Sequence, residues 1–207
     1  MRAWFAVVLV VPVVAFAQSR DEEISIARSA APPEIAKDAK VYVLDHGHYV
    51  VADPGRSAEV CMVGRPGAAD FAPMCGDAEM DASELAIGRF RTEQRLAGRS
   101  KEEIDRAIED GMKSGRFREP TRPALLFMLS STQQLTDTAG KPVGKWYPHI
   151  MVYYPGHLTN ETMGLVDSKD VNMPSVSADH HGSMLVVVER NWVDPEPKLV
   201  TEKTPGN

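Results

Sequence analysis

Apolar positions along this chain change their period from region to region, and the period assigns the elements. In the middle, Ile104, Ala107, Ile108, Gly111 and Met112 recur at i, i+3, i+4, i+7 and i+8, the pattern of a one-sided helix. Ser100-Lys-Glu-Glu103 just before them reads as a capping box: the Ser100 hydroxyl accepts from the Glu103 amide while the Glu103 carboxylate reaches back. Gly115 stands where a left-handed C-terminal glycine belongs. An earlier stripe, Ala82, Leu85, Ala86 and Phe90, predicts a second helix opened by Asp81 and Glu84 and ending near Gly98. Residues 21–31 read as a short helix with acids in its first turn, stopped by Pro32-Pro33, because the residue before a proline is pushed out of the α region. Glu34 to Ala39 adds a further turn.

Elsewhere β-branched and aromatic runs predict strands. Lys40 to Leu44 and Tyr49 to Ala52 flank the polar tip Asp45-His46-Gly47-His48, a hairpin pattern, and Glu59 to Val63 makes the next strand. Ala124 to Ser130, Tyr147 to Tyr154 and Met184 to Arg190 are apolar on both faces, as in strands covered on each side. The stretch 155–183 is loop-rich, and the tail 194–207, carrying Pro195, Pro197 and Pro205, is expected to fray. These elements imply a single α+β domain over residues 18–193. It would hold an antiparallel or mixed sheet of five to six strands, with two or three helices mainly on one face.

The first seventeen residues are of another kind. Arg2 precedes the apolar run Phe5 to Val14, broken by Pro12, and Ala15-Phe16-Ala17 forms a small-x-small cleavage pattern. That is a secretory signal peptide over 1–17, with cleavage expected after Ala17. The run is shorter than the roughly 20 residues of a permanent span, so no transmembrane segment is expected after cleavage. A periplasmic or secreted location follows, away from nucleic acid. Composition, 43% hydrophobic and 25% charged with a net charge of -6, is that of a folded globular chain. Basic residues concentrate between Arg89 and Arg122, but acids are interleaved among them, the pattern of a solvated helix surface.

Location changes the meaning of the two cysteines, Cys61 and Cys75. In an oxidising compartment they are expected to pair, closing a Gly- and Pro-rich loop of about 15 residues, for which the chain-entropy model gives about 3 kcal/mol. The spacing is not C-x-x-C, which argues against a redox-active pair.

Six histidines form the one constellation with chemical potential: His46, His48, His149, His157, His180 and His181. His46 and His48 have a spacing compatible with a metal, with Asp45, Asp53 or the His180-His181 pair as further ligands. The competing reading is an exposed hairpin tip, and no H-E-x-x-H or C-x-x-C pattern favours the metal. His149 differs, because strand alternation places it on one face with Met151 and Tyr153. That wall is the candidate ligand-binding surface, with His157, His180 and His181 of the following long segment positioned to cover it. The alternative is a core histidine satisfied by a hydrogen bond. Ten methionines raise copper, but they are scattered and several sit on helix or strand stripes. No G-x-S-x-G elbow, Walker loop or G-x-G-x-x-G occurs, and Asp77 with Glu79, or Glu102 with Glu103, read as caps and surface acids. No catalytic residue and no cofactor is assigned.

Four local patterns carry a resemblance: Ile26-Ala-Arg-Ser-Ala-Ala-Pro-Pro-Glu-Ile-Ala36, the span Cys61 to Cys75, Arg122-Pro-Ala-Leu125, and Trp146-x-Pro-His-x-Met151. Together, over about residues 24–155, the chain resembles a group of uncharacterised exported bacterial proteins. The resemblance implies a bacterial, extracytoplasmic setting and brings no activity with it. The functional expectation is a non-catalytic envelope or secreted domain that binds a ligand or partner; the alternative is a metal-binding protein or metal-dependent enzyme using the histidines.

Overall fold

In the computed structural model, residues 19–67, 69–137, 139–179 and 182–196 are described. Helix α1, Arg20–Arg28, begins at Ser19, whose hydroxyl accepts from the Glu22 amide, and carries Asp21, Glu22 and Glu23 in its first turn. The one-turn α2, Pro33–Ala36, has its proline at the first helical position, where a missing N–H costs nothing. Strands β1, Lys40–Asp45, and β2, His48–Asp53, form the expected hairpin. Its tip is His46 at φ 47° and Gly47 at φ 86°, the two positive φ values that a tight primed turn requires.

The chain then passes back beside β1 into β3, Val60–Gly64, which pairs parallel to it. This crossing is close. A Cβ on Gly55 would lie 2.4 Å from the Lys40 nitrogen, and Gly55 itself sits at φ +65°, so only glycine fits. Strand β4, Ala72–Gly76, follows antiparallel to β3, placing Cys61 directly opposite Cys75. The two are bonded, with Cα atoms 4.1 Å apart. The sequence reads the stretch beyond Val63 up to Cys75 as loop. Residues 72–76 form a strand instead, and the reason they do not read as one is Pro73, a residue that cannot donate. At Pro73 only β3 is a ladder partner; β5 joins β4 at Cys75 and Gly76 alone.

Helices α3, Ala78–Asp81, and α4, Glu84–Leu96, come next, followed by α5, Lys101–Ser114. Helix α5 has the capping box between Ser100 and Glu103 and ends at Gly115 with φ 77°, both as the sequence indicates. Strand β5, Ala124–Met128, enters the sheet beside β4. A small hairpin of β6, Leu135–Thr136, and β7, Pro142–Gly144, lies apart from it. Strands β8, His149–Tyr154, β9, Ser175–Asp179, and β10, Gly182–Val188, complete the sheet.

The result is an α+β body on a mixed, eight-stranded sheet in the order β2-β1-β3-β4-β5-β8-β10-β9. That is more strands than the five to six expected, and more helices than two or three. The surplus elements β4, β6, β7 and β9, with the one-turn α3, are short or carry proline or serine, so none shows a sustained apolar period. The helices also lie on both faces rather than mainly one. On one side Ile26, Ala27, Ala30 and Ala31 pack with Val41, Val43, Cys61, Val63 and Cys75. On the other, Met80 and Leu85 of α3 and α4 pack with Val60, Met62, Leu126, Met151 and Tyr153. A satellite core of Ile87, Ile104, Ile108 and Phe117 joins α4 to α5.

Two predictions follow from this packing. Replacing Cys61 and Cys75 together by Ser should lower the unfolding free energy by up to about 3 kcal/mol, read as a reduced urea midpoint under non-reducing conditions. The second concerns two helical glycines. A Cβ on Gly111 would meet Phe117 Cδ2 at 2.3 Å, inside the satellite core, whereas one on Gly88 meets nothing within 4 Å. Gly88→Ala should therefore stabilise by roughly 0.5–1 kcal/mol. Gly111→Ala should instead destabilise by about 1–3 kcal/mol, because overpacking outweighs the gain in helix propensity. Urea unfolding of the pair reads both signs.

Candidate functional site

Strand β8 places His149, Met151 and Tyr153 on one face, each 8% exposed. Met151 and Tyr153 belong to the core beneath α3 and α4, and the Tyr153 hydroxyl lies 4.0 Å from the Met151 sulfur. His149 Nδ1 is 2.6 Å from the Tyr147 carbonyl oxygen, and burial lowers its pKa below the ordinary imidazole value. The three residues meet as expected from the alternation, and they meet as packed interior.

Among the described residues, the other histidines do not converge with His149. His46, its side chain 95% exposed, has Nδ1 2.6 Å from Asp45 Oδ1 at the hairpin tip. His48 Nδ1 stands 3.8 Å from Glu93 Oε2 on α4, and His157 is exposed on the loop after β8. His180 and His181 lie outside the described residues. Asp53, considered as a ligand, instead accepts from Arg28 at 2.7 Å and from the Gly55 amide at 2.9 Å. Among the described residues no group of three or more His, Cys, Asp or Glu could hold a metal ion.

Charge drawn away from solvent is organised elsewhere, at buried Glu23 and Glu79 and half-buried Asp81, which sequence reading did not single out. Glu23 of α1 accepts from the Leu44 amide of β1 and from both terminal nitrogens of Arg65, each at 3.1 Å. Arg65 in turn offers its carbonyl oxygen to Thr92 and Arg95 of α4. Asp81 holds Lys40 Nζ at 2.6 Å and Arg89 Nη2 at 2.8 Å, while the Arg89 guanidinium lies 4.3 Å from the centre of the Tyr42 ring. Glu79, read in the sequence as a surface acid beside Asp77, is buried. It accepts a two-pronged pair of bonds from Arg118, together with the amide and hydroxyl of Thr121. Asp77 does cap α3, accepting from the Met80 amide. No local signal separates the two acids, because what buries Glu79 is its pairing with Arg118 and Thr121, 39 and 42 residues on.

A concavity of ligand size lies beside α1, between that helix, α2 and residues 193–196. Its volume is about 500 Å³. Ile24, Ala31 and Ala36 contribute apolar surface; Asp21, Arg28, Lys37, Asp194 and Glu196 contribute charge. The far wall is fixed in place. The Val193 amide donates to the Leu129 carbonyl, the Ser131 amide donates to the Val193 carbonyl, and Ser25 Oγ donates to the Glu196 carbonyl at 3.0 Å. Residues 194–196, which open the tail expected to fray, are therefore tied down, and 197–207 lie outside the described residues. Behind the cleft, Ser29 Oγ is 2.6 Å from Ser130 Oγ, which is 2.8 Å from Thr132 Oγ1, a buried hydroxyl chain linking α1 to the end of β5. Sequence reading missed this cleft because its walls come from segments about 170 residues apart.

The Arg118 pair and the Thr121 amide hold the Glu79 carboxyl at about 2, against 4.5 for an ordinary glutamate. A carboxyl depressed in the folded state contributes stability that is complete above pH 4.5 and is lost as pH falls toward 2. Between pH 5 and pH 2.5 the wild type should thus lose more unfolding free energy than Glu79→Gln, which cannot titrate. Urea midpoints across that window measure the difference.

Comparison with protein-family models, with curated proteins and with solved structures returned no match to this chain.

Proposed function

We propose that this protein is a non-catalytic binding domain of the bacterial envelope or its surroundings, holding a small ligand or a partner's side chain in the cleft beside α1. The observation that carries the reading is how the charged groups are divided. Buried Glu23 and Glu79 and half-buried Asp81 each fasten one element to another through arginine or lysine. The cleft, in contrast, combines an apolar floor with a few polar groups on a fixed wall, the usual make-up of a ligand site. The exported setting is supported by the Arg2 to Ala17 pattern, by the resemblance to uncharacterised exported bacterial proteins, and by the Cys61–Cys75 bond, which persists in oxidising compartments. Among the described residues no helix is long and apolar enough to cross a membrane.

The test has two arms. Elemental analysis of exported, dialysed protein should give zinc, copper and iron well below one equivalent; a stoichiometric metal would overturn the reading in favour of a histidine-based metal protein. A thermal-shift screen of small amphiphiles should yield compounds that raise Tm in the wild type and do so much less in Ser25→Trp, whose indole would fill the cleft. Shifts indifferent to that substitution would place binding elsewhere and sink the assignment.

A further inference from the structure

We propose that the cleft selects a small cationic amphiphile, an amine or similar cation carried on an apolar body. The inference rests on the binding reading above and adds the ligand class to it.

The floor sets the apolar half of the ligand. Ala31 and Ala36 are buried at the base of the cleft, and Ile24 lies half-buried beside them. Methyl groups at two of these three positions leave space that larger side chains would occupy. The resulting volume of about 500 Å³ falls in the roughly 300–1,000 Å³ range of small-ligand sites.

The rim sets the charged half. Three carboxylates line it, those of Asp21, Asp194 and Glu196, and all three residues are exposed. Against them stand Arg28 and Lys37. Arg28 is already engaged: it donates to the Ala36 and Ala39 carbonyls at 3.2 and 3.3 Å and to Asp53 at 2.7 Å, so its charge is matched outside the cleft. Lys37, exposed, is the remaining cation of the lining. The N-terminus of α1 would by itself favour an anion, but Asp21, Glu22 and Glu23 fill its first turn with negative charge. The balance at the cleft is negative, and a concave surface concentrates that field. A carboxylate ligand would meet like charge, and a neutral one would gain the floor alone. A cation on an apolar stem satisfies both.

Titration of the ¹⁵N-labelled full mature chain with n-octylammonium, n-octanoate and 1-octanol tests this, since the three share one apolar chain. Saturable amide shifts at Ile24, Ser25, Ala31 and Val193 are expected with octylammonium. Its affinity should exceed that of octanoate by tenfold or more at low salt, and the margin should shrink in 0.5 M NaCl. Glu196→Lys should weaken octylammonium about tenfold, Lys37→Glu should strengthen it, and Glu109→Lys on distant α5 should leave it unchanged. Equal binding of all three probes at the cleft would overturn the cationic preference while leaving the binding site standing. No saturable shift at these amides with any probe would remove both.

Discussion

Strands β3 and β4 are covered by helices on both faces, and that two-sided burial is the constraint around which the other elements are arranged. Cys61 and Val63 must be covered by α1 from one side, while Val60 and Met62 must be covered by α3 and α4 from the other. Coverage at such short range requires small contact residues. Ala27, Ala30 and Ala31 on α1 and the turn after it, with Ala36 and Ala39 beyond, supply methyl groups that let backbone approach backbone. The disulfide lies inside this sandwich, fully buried, where it joins neighbouring strands already in register. Its work is on the unfolded chain, whose freedom it limits.

Charge enters the interior only where a helix or loop must be oriented. Glu23 ties α1 to β1 and to Arg65; Asp81 ties α3 to Lys40 of β1 and to Arg89 of α4; Glu79 ties the 115–123 connection to α3. Each carboxylate has its partners in place, which is the condition for a buried charge to be tolerated, and removing one partner would cost more than the pair contributes. The fastenings of Glu23 and Asp81 lie on the half of the sheet containing β1, β3 and β4, while that of Glu79 holds the connection leading into β5. The far half, β5, β8, β10 and β9, is held by ladder bonds and by its apolar inner face, and its outer face is less covered, with Leu125 of β5 at 43% exposure.

The parts of this architecture that were legible in the sequence are those specified locally. The Ser100–Glu103 box, Gly115, the His46-Gly47 turn and the alternation of His149, Met151 and Tyr153 each depend on residues within a few positions of one another, and each stands where the pattern puts it. Strand β4 was not legible, because Pro73 and Met74 break the β pattern and the strand is stabilised by β3 and the disulfide instead of by its own residues. The placement of α1 and α4 on opposite faces follows from the right balance of methyls and from Glu23 and Asp81 finding Arg65 and Lys40, contacts with no local signature. The cleft is the extreme case. Its walls, Ile24 and Ser25 on one side and Val193 to Glu196 on the other, belong to the two ends of the domain, and no spacing rule connects them.

The junction between β4 and β5 has a consequence for how the molecule comes apart. Five residue pairs join β3 to β4 and five join β5 to β8, but β4 pairs with β5 only through Cys75 with Phe127 and Gly76 with Leu126. What the ladder lacks here is supplied by packing and by bonds at the margins: Val60, Met62, Met80 and Leu85 share one core with Leu126, Met151 and Tyr153, the Leu129 amide donates to the Ala30 carbonyl, the Thr136 amide and hydroxyl donate to Asp70, and Phe71 and Gln134 exchange bonds. Opening there therefore has to break side-chain packing more than ladder bonds. Residues 193–196 bond to Leu129 and Ser131 beyond β5 and to Ser25 of α1, so the wall of the cleft spans the place where backbone pairing across the sheet is thinnest.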